Sequence, residues 1–246
     1  MKIQLSNVCK TFGTQLVLDN LNLTVEPNRI TVIIGESGGG KSVLLKHIIG
    51  LIRPDSGSVY VDNVEISALN DRKLNEIRKN FGMLFQEAAL FDSMTVGENV
   101  AFPIKEHTRL SNEEIDVIVK EKLRQVGLKK VVQKMPAELS GGMRKRVGLA
   151  RAIALDPKII LFDEPTTGLD PIRRDDIDRL IVKTQQHTNA TCLIISHDID
   201  STFKIAHSVA MLYDGRIIEY GTPEKIKNSK NPAVKNFIEG KSSSEQ

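Results

Sequence analysis

The sequence predicts an α/β fold: a parallel-stranded core, an N-terminal antiparallel β part and an inserted α-helical part. Three observations carry this. The apolar runs ITVII (30–34), IILF (159–162) and CLIIS (192–196) are unbroken, as in central parallel strands covered on both faces. LNLTVE (21–26) alternates instead, with Leu21, Leu23 and Val25 on one face, as in an antiparallel strand wetted on the other. From Glu87 to Leu155 the pattern is helical, with no convincing strand.

Taken in order, the first apolar strand runs into GESGGGKS (35–42) and then the apolar helix VLLKHIIGL. FGMLFQ (81–86) is strand-like. In residues 112–128, Ile115, Ile118, Val119 and Val126 line one helical face. Ser111 is a natural N-cap there, Glu113 and Glu114 suit the first turn, and Gly127 suits the end. Pro136 precedes a loop. ELSGGMRKRVGLARA (138–152) reads as a helix capped by Ser140, and its basic run 144–146 reads as a solvated face. A helix follows SHD (196–198), and 208–221 is a hairpin turning at Asp214-Gly215. Residues 222–238 read as helical. The expected organisation is one domain over 1–240: a core of 1–86 and 156–221, a helical insertion at 87–155, and a C-terminal helical extension at 222–240. A polar tail follows at 241–246.

A length of 246 residues, with 40% hydrophobic and 26% charged, suits one large domain carrying an insertion. A net charge of +3 without a long basic stripe argues against nucleic acid as a partner. Cys9 and Cys192 lack ligand-like spacing and read as reduced thiols of a cytosolic protein. No N-terminal signal is visible, and no apolar run approaches the ~20 residues of a membrane span, so any membrane role is expected to be peripheral.

The chemistry concentrates at strand ends. GESGGGKS, between a buried strand and a helix, is a phosphate cradle. Glycines 35, 38, 39 and 40 let the backbone N–H groups converge, with Glu36, Ser37 and Val43 completing the loop. Lys41 reaches the terminal phosphates and Ser42 offers a hydroxyl to Mg²⁺. In IILFDEP, Asp163 and Glu164 end a buried strand; alone they would serve equally as a helix cap. Beside a phosphate cradle they read as a Mg²⁺ ligand and a general base. His197 ends another strand and is placed to sense the γ-phosphate, whereas His47, His107, His187 and His207 read as structural or surface. Gln86 stands where the insertion begins, and its neutral amide suits Mg²⁺ or the attacking water; an ordinary loop glutamine is the alternative. The Ser140 turn raises a further question, because Gly141 and Gly142 leave helix N–H groups uncovered although one ATP already has its cradle. A second copy related by a two-fold axis would answer it, each Ser140 turn meeting the other copy's ATP. An ordinary capped helix start is the alternative.

This motif set resembles the ATP-binding cassette (ABC) ATPases over essentially the full length. GESGGGKS looks like their Walker A, IILFDE their Walker B and LSGGM (139–143) their signature. Gln86 matches the Q-loop, Asp170 in GLD the D-loop, His197 the switch histidine, and Phe12 in KTFG the aromatic that stacks on adenine. The resemblance implies a P-loop NTPase fold, ATP and Mg²⁺ as cofactors, ATP hydrolysis, and Ser140, Gly141, Gly142 and Met143 acting in trans across a homodimer. The signature commonly ends in Gln; Met143 cannot donate that contact. Residues 83–110, 135–157 and 231–240 further resemble the ATPase subunits of Mla-type phospholipid transporters. That resemblance implies a transmembrane permease, an MCE-domain lipid-binding protein and a STAS-domain partner. It also implies a position on the cytoplasmic face of a bacterial inner membrane, lipid as cargo, and a C-terminal extension reaching the other ATPase subunit. Phe81, Phe85, Phe91 and Phe102 bracket the expected coupling surface; most are expected in the core, with one or two lining a groove for a permease helix. The alternatives are a transporter of another solute, a non-transport ABC ATPase acting on ribosomes or DNA, and a nucleotide-gated scaffold.

Overall fold

The computed structural model describes residues 1–241. Apart from Lys241, the tail expected at 241–246 lies outside the described residues. The chain forms two compact units, one of residues 1–74 together with the C-terminal part from Thr191, the other Asn75–Ala190.

The first unit opens with β1 (Ile3–Phe12), β2 (Gln15–Val25), β3 (Ile30–Ile34), α1 (Lys41–Ile48), β4 (Ser56–Val61) and β5 (Val64–Glu65). Strands β2-β1-β4-β5 form an antiparallel sheet in that order. Its alternation is the one read from LNLTVE: Leu21, Leu23 and Val25 are buried and Asn22 is exposed. β3 is buried at all five positions, as its unbroken apolar run requires. α2 (Asp71–Arg78) then leads out of this segment.

In the second unit, β6 (Phe81–Leu84) pairs in parallel with β7 (Ile159–Asp163), Leu84 opposite Phe162. Between them in sequence lie α3 (Val96–His107), α4 (Asn112–Gln125) and α5 (Gly141–Ala152); α6 (Pro171–Thr188) follows β7. No strand occurs between 85 and 158. Ser111 caps α4, accepting from Glu114 N–H while the Glu114 carboxylate accepts from Ser111 N–H; Thr95 and Glu98 do the same for α3. Ile115, Val119, Leu123 and Val126 are buried along α4, whereas Ile118 is half-buried. The loop expected after Pro136 is a short 3₁₀ turn. α5 packs closely on β6: a Cβ added at Gly82 would fall 2.1 Å from the Ala152 carbonyl oxygen, so only glycine fits.

The chain returns to the first unit through β8 (Thr191–Ile195), α7 (Ile199–Ile205), β9 (Ser208–Tyr213), β10 (Arg216–Gly221), α8 (Pro223–Lys227) and α9 (Pro232–Glu239). β8 and β9 flank β3 in parallel, and β10 pairs antiparallel with β9. The hairpin turns at Asp214-Gly215, both at positive φ (45° and 72°), as a tight two-residue turn demands. Residues 222–238 are two helices rather than one. Asn231 caps α9 through its side chain, and Pro232, with no N–H to donate, starts the new helix instead of continuing the old one. Cys9 and Cys192 are both free; burial pushes the Cys192 thiol up to about 12. No helix among the described residues is long and apolar enough to cross a membrane.

Candidate nucleotide site

In the first unit, β3 delivers Gly35–Gly40 as a curled loop ahead of α1. Gly40 has φ 89°, and a Cβ there would lie 3.0 Å from the Val17 carbonyl oxygen; the loop passes too close to β2 for a side chain. Gly39 N–H donates to the Glu36 carbonyl at 3.1 Å, tightening the curl. Lys41 is buried, and its Nζ donates to the Gly35 and Glu36 carbonyls at 2.9 and 2.6 Å. Its ammonium is thus held against the curled loop beside the start of α1, where phosphate oxygens would be met by positive charge and helix N–H groups together. Ser42 is exposed on the first turn of α1 and Val43 is half-buried.

A cleft of about 250 Å³ adjoins this loop, lined by Val17, Ser37, Gly38 and Asp214 among others. Phe12 is 45% exposed at the end of β1, an accessible aromatic face with Lys10 Nζ 5.6 Å from its ring centroid. His197 follows β8 and is exposed; Ser196 N–H donates to the Ile33 carbonyl, so this strand end lies at the same edge as the end of β3. Of the other histidines, His47 contacts the Val43 carbonyl and His207 accepts from Ile30 N–H, both structural; His107 and His187 are on the surface.

The second unit gathers the remaining residues. The parallel register of β6 and β7 puts Gln86, two residues past Leu84, and Asp163, one past Phe162, at the same sheet end. Glu164 adopts φ 48°, a left-handed conformation costing roughly 1 kcal/mol or more for such a side chain. Thr167 holds that turn, donating its hydroxyl to the Glu164 carboxylate at 2.9 Å and its N–H to the Glu164 carbonyl at 3.3 Å. Asp170 caps α6 through Arg173 N–H at 3.0 Å, ahead of Pro171. Ser140 caps α5, accepting from Met143 N–H at 3.3 Å. A Cβ at Gly141 or Gly142 would come into ordinary van der Waals contact with Leu169 at 4.0 Å or Arg173 at 3.8 Å, and both glycines are half-buried.

The residues fit ATP with Mg²⁺. The loop leaves little room for side chains at Gly35 and Gly40, as a backbone cradle for phosphate requires, and the exposed Ser42 hydroxyl beside it is a hard oxygen donor of the kind Mg²⁺ takes. Among the described residues no cluster of three His, Cys, Asp or Glu side chains could hold a metal.

Two expectations are corrected. The run Arg144-Lys145-Arg146 is not a solvated face: Lys145 is 6% exposed and reaches the carbonyls of Glu164 and Thr167. Its spacing to Gly148, Leu149 and Ala152 puts it on the buried stripe of α5, a signal present in the sequence beneath the charge. Phe81, Phe85, Phe91 and Phe102 are not mostly core. All four line one groove of about 440 Å³ with Met83 and Leu155, and Phe85, Phe91 and Phe102 are each at least 36% exposed. Arg151, for which the sequence carries no signal, donates at 2.7 Å to the Ala88 and Ala89 carbonyls, fixing two consecutive left-handed alanines, of which Ala89 lines the groove.

Residues 18–167 match the family model for the ABC transporter. The chain is 44% identical over 240 residues to the intermembrane phospholipid transport system ATP-binding protein MlaF of Haemophilus influenzae, covering 98% of this chain and 91% of that one. It is 42% identical over 241 residues to the probable ribonucleotide transport ATP-binding protein mkl of Mycobacterium tuberculosis, covering 98% of this chain and 67% of the other. Among solved structures it is similar to the dimeric bacterial ABC transporter cassette MJ0796, with TM-score 0.83, 34% identity, and coverage of 90% and 98%. It is likewise similar to cbiO1 of Clostridium perfringens, with TM-score 0.85, 29% identity, and coverage of 93% and 91%. The curled lysine loop, the carboxylate pair ending β7 and these likenesses agree: the chain belongs to the ABC transporter family, as an ATP-binding and ATP-hydrolysing subunit.

Proposed function

We propose that the chain works as a pair, each ATP held between the Lys41 loop of one copy and the Ser140 turn of the other. The glycine-fronted start of α5, capped by Ser140, carries this reading, and the similar cassette MJ0796 is described as dimeric, including a state bound to ADP and Pi. Lys41 neutralises phosphate charge, Phe12 stacks on adenine, and Asp170 lies at the seam between copies. Ser42, Gln86 and Asp163 hold Mg²⁺, which when bound offsets triphosphate charge. Glu164 takes the proton of the attacking water and His197 donates to the γ-phosphate. Met143 offers only apolar contact beside the signature glycines. ATP binding closes the pair because the contacts between phosphate and the other copy's Ser140 turn exist in the closed state alone, and that difference in affinity is what shifts the equilibrium. Glu164→Gln, tested by gel filtration and phosphate release, is expected to dimerise with ATP and to lose at least about 10²-fold in turnover. Wild-type turnover would show that the base lies elsewhere.

Closure moves the helical insertion 87–155, and the phenylalanine groove passes that motion to a helix of a transmembrane permease at the cytoplasmic face of an inner membrane. The cargo is phospholipid, moved between the inner and outer membranes with an MCE-domain protein and a STAS-domain protein as partners. The extension 222–240 reaches the other ATPase subunit. The MlaF relative, matched along 91% of its length, supports the lipid reading. The mkl relative, at 42% identity, supports transport of another solute such as a ribonucleotide, and identity ranks the two together. Purification of the tagged chain from native membranes, with identification of bound proteins and lipids, separates them: co-purifying phospholipid supports the first reading, and a lipid-free complex bound to a soluble solute supports the second.

A further inference from the structure

Lys145 has no role in the site described so far, yet it is one of the few buried charges of the second unit. Its flanking arginines reach carbonyls around α5: Arg144 donates to Leu139 at 2.8 Å and Arg146 to Val126 at 2.9 Å. Lys145 turns instead to the loop that carries Glu164. Its Nζ lies 3.5 Å from the Glu164 carbonyl oxygen and 3.3 Å from that of Thr167. Thr167 in turn donates its hydroxyl to the Glu164 carboxylate. Ammonium, turn and carboxylate thus form one short chain of contacts ending on the proposed base. Burial pulls the Lys145 pKa below the ordinary lysine value, against the opposing pull of the Glu87 and Glu164 carboxylates. A charge kept at that cost, beside two backbone dipoles, calls for a reason beyond solubility.

The other end of this strut is the start of α5. Lys145 lies about one helical turn from Gly141, so a displacement of the Ser140 end carries the ammonium with it. Glu164 sits at φ 48°, a conformation that persists only where its surroundings impose it. We propose that Lys145 is a positioning residue for hydrolysis: it ties the helix start facing the partner copy's ATP to the base acting on its own copy's ATP. Closure at one nucleotide then sets Glu164 at the other. This rests on the paired reading above. Lys145 takes no proton itself; the water proton goes to Glu164, the water oxygen bonds to the γ-phosphorus, and ADP departs with the broken bond.

Two variants of the full chain test it. Lys145→Met keeps an unbranched stem and removes every donor; Lys145→Gln restores an uncharged amide with two N–H donors. Lys145→Met is expected to lower kcat about tenfold, the loss of one charge-assisted contact. Its KM for ATP should stay within about twofold and its melting temperature unchanged, while the Hill coefficient for ATP falls towards about 1. Lys145→Gln should recover most of the kcat. A Lys145→Met enzyme with wild-type kcat and Hill coefficient overturns the proposal. So does a loss of kcat in both variants that tracks a loss of melting temperature, which marks packing alone. Glu164→Gln run alongside keeps the two readings apart. If it stalls while Lys145→Met is fully active, only the Lys145 assignment fails; if it hydrolyses normally, the base assignment fails.

Discussion

At the scale of single residues, the phosphate loop rests on one buried lysine and the glycines that curl the backbone around it. Only glycine tolerates the positive φ and close backbone approach at Gly40, and the lysine that follows is read from spacing alone. Lys41→Ala removes the ammonium buried behind the curled loop. Turnover, measured as phosphate release, should fall by at least about 10²-fold with the fold intact by circular dichroism; turnover within twofold of wild type would remove Lys41 from the phosphate site. Lys145 shows where such reading stops. Three consecutive basic side chains look alike in a composition, and solvation is the ordinary fate of each. What buried the middle one was the facing of α5, a 3.6-residue property that charge counting hides. The left-handed Glu164 could not be read at all, since no rule of spacing requires a glutamate to take that conformation.

At the scale of elements, the helix starts were the most readable features because capping is local. Ser111 and Glu114 form a reciprocal pair of hydrogen bonds, and Ser111→Ala should cost about 1 kcal/mol, lowering the melting temperature by about 2–4 °C. No change would mean that α4 is held by packing alone. The same contact fixes a pH dependence. Hydrogen bonds from Ser111 hold the Glu114 carboxyl below its ordinary 4.5. A depressed carboxylate stabilises the fold above the unfolded value, and that stabilisation is lost as pH falls through the folded one. Glu114→Gln should therefore flatten the loss of stability below about pH 4.5; an unchanged acid limb in thermal melts would contradict it. Tertiary features were harder to read. The break between α8 and α9 was signalled by Asn231-Pro232 but masked by the helical pattern around it. The phenylalanine groove was misjudged because burial is the ordinary fate of phenylalanine, whereas here four rings share an open face. Phe102→Asp should abolish co-purification of membrane partners while leaving the basal ATPase rate of the isolated chain within about twofold; partners retained at wild-type levels would place the coupling surface elsewhere.

At the scale of the whole molecule, the α/β class followed from the contrast between unbroken and alternating apolar runs, and the observed parallel pairs β3–β8 and β6–β7 bear it out. The proposed pairing rests on a surplus in the sequence: a capped, glycine-fronted helix start in a chain that already has its phosphate loop. That surplus carries the central claim, and disulfide trapping tests it most directly. A Glu164→Gln chain with Cys9→Ser would carry Ser37→Cys in the phosphate loop and Gly142→Cys in the Ser140 turn; native Cys192 is buried. On mild oxidation the account predicts covalent dimers on a non-reducing gel with ATP and Mg²⁺, and monomers with ADP. Monomers under both conditions, or dimers formed equally without nucleotide, would contradict it.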